Sequence, residues 1–218
     1  MIINVNGISI FYEIYGEGSP ILLLHGNGED HSIFNELAAK LAANFTVYAL
    51  DSRNHGKSQK TDDYSYQAMT DDCYAFIQAL NLEKVDLVGF SDGAIIGLML
   101  AIKHSEVIGK MALLGVNLKP EDFTEESYQY IKDTYEKTKD PLFKLMLEQP
   151  NIELDEVRNI STPTLLVAAD NDIFKPDSFT KIANTMPNAK LKIMFGHDHD
   201  SYITNQTILY PDLIEFLR

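Results

Sequence analysis

Gly89-Phe90-Ser91-Asp92-Gly93 is the stretch of this chain whose residue types and spacing can do chemistry. The run before it, Val85-Asp86-Leu87-Val88, is mostly apolar, and the run after it, Ala94-Ile95-Ile96-Gly97-Leu98-Met99-Leu100-Ala101, reads as a buried helix. The serine therefore sits on a strand-to-helix turn. Such a turn forces Ser91 into a strained backbone conformation, while Gly89 and Gly93 let the neighbouring strand and helix approach closely. Ser91 then stands above the sheet, where the free N–H groups and the positive end of the following helix can stabilise an oxyanion during acyl transfer. A hydroxyl is a weak nucleophile at neutral pH, so this chemistry needs a base to take its proton and return it to the leaving group. The alternative is a chance Gly-x-Ser-x-Gly in a glycine-containing turn, because the pattern fixes few residues; the rest of the chain has to decide.

The elements around the serine follow one pattern. Residues 2–5 and 8–15 alternate as strands do about a turn at Asn6-Gly7, which predicts an antiparallel hairpin. After the breaker Gly16-Glu17-Gly18-Ser19-Pro20 comes Ile21-Leu22-Leu23-Leu24, apolar throughout, as in a strand buried on both faces. Helices are expected over 32–43 and 66–80, with strands over 45–50, 85–90 and 108–115. A further strand over 163–169, a helix over 177–186, a strand over 190–195 and a final helix over 201–218 complete the chain. Apolar strands alternating with helices indicate an α/β fold with a mostly parallel, doubly wound sheet. Right-handed crossovers bring the strands' C-terminal ends to one edge, and His25, Asp51, Ser91 and Asn117 all lie just past such ends.

Between 118 and 160 the alternation stops. This stretch is charged and aromatic, with helices expected over 125–137 and 141–148, and about 40 residues are too few for an independent core. It reads as a small helical cap over the strand ends, set between two parts of one core, 1–117 and 161–218.

Composition excludes several classes. With 45% apolar and 23% charged residues and no bilayer-length apolar run, the chain is neither disordered nor a membrane protein. The first residues carry no basic region and no signal-peptide core, so a cytoplasmic location is expected. A formal charge of −14, with no basic cluster, argues against nucleic acid and anionic membrane as partners. The single cysteine, Cys73, forbids an internal disulfide and a thiolate metal cluster, and its amphipathic helical setting makes it a small buried hydrophobe.

Four motifs in order, His25-Gly26, Asp51-x-Arg53-x-x-Gly56-x-Ser58, Gly89-x-Ser91-x-Gly93, and a late acid and histidine, make the sequence resemble the α/β-hydrolase superfamily over nearly its whole length except the insertion. The resemblance implies a serine nucleophile, then an acid in a loop after a late strand, then a histidine. Asp172 falls where the family usually has the acid of Gly-x-x-Asp, although Ala169 replaces the glycine; Asp170, nearer the strand end, is the competitor and suits a turn role. In Gly196-His197-Asp198-His199-Asp200 the family layout puts the histidine at His199, with His197 the alternative. In this reading His199 is the base, Asp172 orients it, and the backbone N–H groups of Asn27 and Asp92 form the oxyanion hole.

Asp92 has two readings. It is a carboxylate in the first turn of a helix, favoured by the dipole. It also matches the subgroup of the superfamily that cleaves amino-acid esters, where this aspartate helps receive the substrate's ammonium; Glu29, Asp30 and Asp198 could add to that field. Asn117, past a strand end, is the other candidate substrate contact. Arg53 and His55 are expected to hold their loop and His25 to brace the oxyanion loop, while His31 and His104 show no partner pattern. No ligand spacing suggests a metal, and no cofactor is expected. Tyr128, Tyr130, Tyr135 and Phe143 are candidates for the walls of an acyl pocket, or for packing on the core.

These features lead to the expectation of a serine hydrolase acting through an acyl-enzyme on a small carboxylic ester, since a short cap suits compact substrates, with amino-acid esters as the candidate favoured class. Two alternatives keep the same residues: a C–C bond hydrolase or perhydrolase, and a small-molecule receptor with little turnover. Dehalogenases and epoxide hydrolases use an aspartate nucleophile where this chain has Ser91.

Overall fold

A strand whose every side chain is apolar must be covered on both faces. In the computed structural model, which describes residues 1–218, Leu22 and Leu24 pack into one hydrophobic core while Ile21 and Leu23 pack into another. They lie on β3 (Ser19–Leu24), inside an eight-stranded sheet. The other strands are β1 (Ile2–Val5), β2 (Ile8–Tyr15), β4 (Phe45–Leu50), β5 (Val85–Phe90), β6 (Ile108–Leu114), β7 (Thr164–Asn171) and β8 (Ala189–Asp198). Their order is β1-β2-β4-β3-β5-β6-β7-β8. β1 and β2 form the expected antiparallel hairpin, β2 joins β4 antiparallel, and every later pairing is parallel.

Helices cover both faces. On one side α1 (Asn35–Leu41) and α8 (Tyr210–Leu217) bury Leu37, Leu41, Leu213 and Leu217. On the other, α2 (Tyr66–Ala79) and α3 (Asp92–Lys103) pack Phe76, Ile95 and Leu98 against Leu22, Leu87 and Leu113. Between β6 and β7 lie α4 (Glu125–Thr138), α5 (Pro141–Glu148) and a single turn, α6 (Leu154–Val157), that the sequence pattern did not predict. α7 (Pro176–Thr185) connects β7 to β8. No helix is long and apolar enough to cross a membrane.

Three elements differ from the sequence expectation. The first helix begins as a 3-10 turn, His31–Phe34, capped by Asp30, before α1 takes over. The expected helix over 201–218 is helical only over Tyr210–Leu217. Asn205 adopts φ 51°, and its N–H is drawn to the Ile33 carbonyl at 2.7 Å, which a continuous helix could not allow. β7 and β8 run further than their apolar residues, and their pairing, after a bulge, brings Asn171 opposite Asp198. The residues that follow the two strands are Asp172 and His199, so this register delivers both to one place.

The segment over β6–β7 is tied to the loop after β7. Phe123 bridges Phe174, Thr124 N–H donates to the Ile173 carbonyl at 2.9 Å, and Lys175 N–H donates to that of Asp122 at 2.8 Å. Ile131 of α4 packs with Phe123, Phe174 and Phe179.

The turn between β5 and α3 has no spare room. A Cβ on Gly93 would lie 2.0 Å from the Leu24 carbonyl oxygen, and one on Gly89 would lie 2.2 Å from the Gly93 oxygen, both backbone atoms of neighbouring elements. Gly93→Ala is therefore expected to lower the unfolding free energy by about 3 kcal/mol, the upper range for overpacking, as measured by urea denaturation of the purified variant.

Candidate active site

Ser91 has φ 51° and ψ −114°, a strained conformation for a residue with a side chain. Its N–H donates to the Leu114 carbonyl at 2.8 Å, and its own carbonyl accepts from Ala94 and Ile95 as α3 begins. The turn is held from both sides, and the hydroxyl is directed toward the loop that follows β8. Ser91 Oγ lies 3.1 Å from His199 Nε2, and His199 Nδ1 lies 2.8 Å from Asp172 Oδ1. Asp172 is buried and accepts two backbone N–H groups, from Ala169 at 3.1 Å and Phe174 at 3.3 Å. These bonds fix the carboxylate, which in turn fixes the imidazole, whose ring is packed between Phe90 and Phe174.

The competing residues do other work. Asp170 accepts the Gly196 and His197 N–H groups at 2.9 and 3.3 Å, bracing the end of β8. His197 reaches Ser201 Oγ at 3.1 Å, away from Ser91. Gly115, which the motifs did not single out, makes room for the imidazole: a Cβ there would lie 2.5 Å from His199 Cε1, and its φ of 61° suits glycine.

The backbone N–H groups of Asn27, which lines the cleft with Ser91, and of Asp92, the next residue after the serine, donate no hydrogen bond within the chain. The Asn27 side chain does bond, to Asp92 Oδ2 at 3.0 Å and the Leu142 carbonyl at 3.4 Å. Asp92 Oδ1 accepts from Tyr66 Oη at 2.7 Å. Its carboxylate is thus buried behind the turn, with a hydrogen bond on each oxygen, and does not line the open cleft. Burial raises the Asp92 carboxyl above its ordinary value, opposed by the bonds from Tyr66 and Asn27, and pushes the Tyr66 phenol well above its own. Asn117 is likewise buried, donates to the Lys119 carbonyl at 2.9 Å and does not line the cleft.

Behind these residues lies a buried polar layer. Arg53 grips Asp72 through two bonds of 2.7 and 2.8 Å, and His55 Nδ1 bonds the Arg53 carbonyl, holding the loop after β4 as expected. His25 accepts the Ser52 N–H at Nε2, so its Nδ1 carries the proton donated to the Gly26 carbonyl. Burial lowers its value to about 4, which agrees with a neutral ring bracing the turn after β3. His31, which showed no partner pattern, lies 2.6 Å from buried Asp51. Asp30, His31 and Asp51 gather ligand atoms within 4.8 Å, but Asp51 already accepts from His31 N–H and Lys57 N–H. Cys73 is buried, its thiol pushed up to about 12 by burial, as befits a packing residue.

The cleft above Ser91 measures about 440 Å³. Phe90, Phe143, Met146 and Ile173 form its apolar wall, and Asn27, Glu29, Asp198 and Asp200 its polar one; no Lys or Arg reaches it. Of the aromatic residues singled out in the insertion, only Phe143 contributes, since α4 turns Tyr130 to solvent.

This fold and arrangement define a hydrolase-type site, and the chain belongs to the alpha/beta hydrolase fold family, whose model matches residues 19–140. Human serine hydrolase BPHL is 34% identical over 150 residues, covering 64% of this chain and 52% of that protein. The 2-hydroxy-6-oxo-6-(2'-aminophenyl)hexa-2,4-dienoic acid hydrolase of Metapseudomonas resinovorans is 32% identical over 118 residues, covering 52% and 41% respectively. The chain thus spans about half the length of these curated relatives or less. A solved meta-cleavage product hydrolase from Pseudomonas fluorescens IP01 superposes with a TM-score of 0.84 over 100% of this chain and 97% of its own, at 20% identity, a likeness of fold.

The buried Asp92 generates a test of sign. Its folded-state value lies above the unfolded 3.8, so the folded state binds the proton more tightly, and stability falls as pH rises from 3.8 through the folded value. Asp92→Asn removes the ionisation but also one acceptor, so the melting temperature of the variant relative to wild type is expected to rise as pH increases from 4 to 7.5; thermal melts across that range would show a constant difference if the carboxylate carried no such cost.

Proposed function

We propose that the chain is a serine hydrolase that cleaves a small carboxylic ester through an acyl-enzyme. The observation that carries this reading is the unbroken hydrogen-bond chain from Asp172 through His199 to Ser91 at a strained turn. In it, His199 Nε2 takes the Ser91 proton as Oγ attacks the carbonyl carbon, and Asp172 orients the ring and stabilises its charged form. The tetrahedral oxyanion is received by the free N–H groups of Asn27 and Asp92. Collapse expels the alcohol, protonated by His199, and a water activated the same way releases the acid.

The cleft's charge narrows the substrate. Glu29, Asp198 and Asp200 face it and no cation does, so a neutral or cationic ester is favoured and a substrate carrying its own carboxylate is repelled. A preference for amino esters would then come from this wall, with Asp92 contributing only through its field. The same argument weighs against a C–C hydrolase acting on an acid such as the one named for the Metapseudomonas relative, whose carboxylate would find no partner. The volume suits a compact molecule.

A fluorophosphonate is expected to add once per chain by intact mass in the wild type and not at all in Ser91→Ala. p-Nitrophenyl esters bearing an α-amino group should be turned over with a kcat/KM at least about tenfold above esters bearing a terminal carboxylate, a difference of about 1.4 kcal/mol. A folded wild type that takes no label points instead to a receptor, and faster turnover of the carboxylate ester overturns the charge argument.

A further inference from the structure

One carboxylate of the acidic wall, Glu29, also sits within the turn beside Ser91. Glu29 closes the turn after β3 on itself: its N–H donates to the Gly26 carbonyl at 3.3 Å, and its Oε2 accepts the Gly26 N–H at 2.9 Å. Gly28, at φ 73°, makes the reversal between them. The two bonds shut residues 26–29 into a ring, and the N–H groups of Asn27 and Gly28 are left without a partner in the chain. The carboxylate is wedged close to the nucleophile as well. A Cβ on Gly26 would lie 2.7 Å from Glu29 Oε2 and 3.1 Å from Ser91 Cβ, so carboxylate, turn and serine occupy adjoining space.

We propose that Glu29 is a positioning residue for the oxyanion hole, holding the 26–29 turn so that the Asn27 N–H faces the developing oxyanion. This rests on the reading of that N–H as an oxyanion donor. The bond is strongest when the acceptor is ionised. Burial pushes the Glu29 carboxyl up to about 7, against the pull of the Gly26 N–H. His199, from the loop after β8, favours the ionised form, while Asp200 from that loop and Asp92 from α3 oppose it. Asp198 adds a further carboxylate to the same wall, and the cap supplies only uncharged Phe143 and Met146. The clamp therefore loosens on acidification near neutrality.

The test compares Glu29→Ala and Glu29→Gln with wild type on p-nitrophenyl acetate from pH 5.5 to 9. Glu29→Ala is expected to lose kcat by about ten- to a hundredfold, somewhat less than outright removal of an oxyanion donor, with KM within about twofold. Glu29→Gln keeps an amide oxygen for the Gly26 N–H and should recover most of kcat at pH 8. Neutral like a protonated Glu29, the variant should fall short of wild type by about twofold at pH 8, and the shortfall should vanish toward pH 5.5. An undiminished kcat in Glu29→Ala, or a Glu29→Gln variant as slow as Glu29→Ala with a shortfall that does not change with pH, overturns the assignment. Fluorophosphonate labelling of the wild type in the same preparation separates the two levels. Labelling with an unaffected Glu29→Ala removes only the Glu29 role, whereas no labelling removes the hydrolase reading itself.

Discussion

The close approach of α3 to β3 and β5 at the Ser91 turn is the constraint on which the rest of the structure depends. Gly93 has no space for even a methyl group against Leu24, and Gly89 none against Gly93. That contact forces the chain to reverse within a residue or two, which puts Ser91 at positive φ, at a cost of order 1–3 kcal/mol. The surrounding sheet and helix offset the strain by fixing every backbone partner of the serine. In return the hydroxyl stands clear of the sheet at the N-terminus of a helix, with the amide of Asp92 unspent.

Around this turn the protein places its polar groups in two layers. The outer one faces the cleft and holds Ser91, His199, Asn27 and Glu29. The inner one is buried: Asp172 with its two N–H donors, Asp92 between Tyr66 and Asn27, Arg53 on Asp72, and His31 on Asp51. Buried charges are tolerated only when each is bonded, and here each is. The inner layer holds the loops after β3, β4 and β7 rigid, so that the outer one keeps its geometry without support from solvent. Asp92 shows the division clearly. Its N–H has no partner in the chain while its carboxylate belongs to the buried layer.

The fold alone leaves the chemistry open, as relatives with different printed activities share it. What is particular to this chain is the cleft: small, apolar on the side supplied by Phe143, Met146 and Ile173, acidic on the side supplied by Glu29, Asp198 and Asp200. The segment between β6 and β7 contributes by position as well as by contact, since its backbone is stitched to the loop that carries Asp172. A displacement of the cap would therefore be felt by the acid.

The sequence by itself determined the alternation of strands and helices, the hairpin at the start, and the strand-turn-helix around Ser91. These depend on neighbours in the chain: periodicity of two or 3.6, glycine where a turn needs it, and apolar runs where both faces are covered. It misjudged the last helix, because the pull of Ile33 on Asn205 comes from far along the chain. The choice of Asp172 over Asp170 and His199 over His197 could be ordered from the motif layout. Their meeting was decided by strand register, since Asn171 opposite Asp198 sends the residue after each strand to the same point. Only the tertiary structure put Tyr66 and Asn27 on Asp92, opened space over Gly115 for the imidazole, buried Asn117, and gave His31 a partner in Asp51. Each of those contacts joins residues distant in sequence, and burial and hydrogen bonding at a point in space cannot be read from spacing along a line.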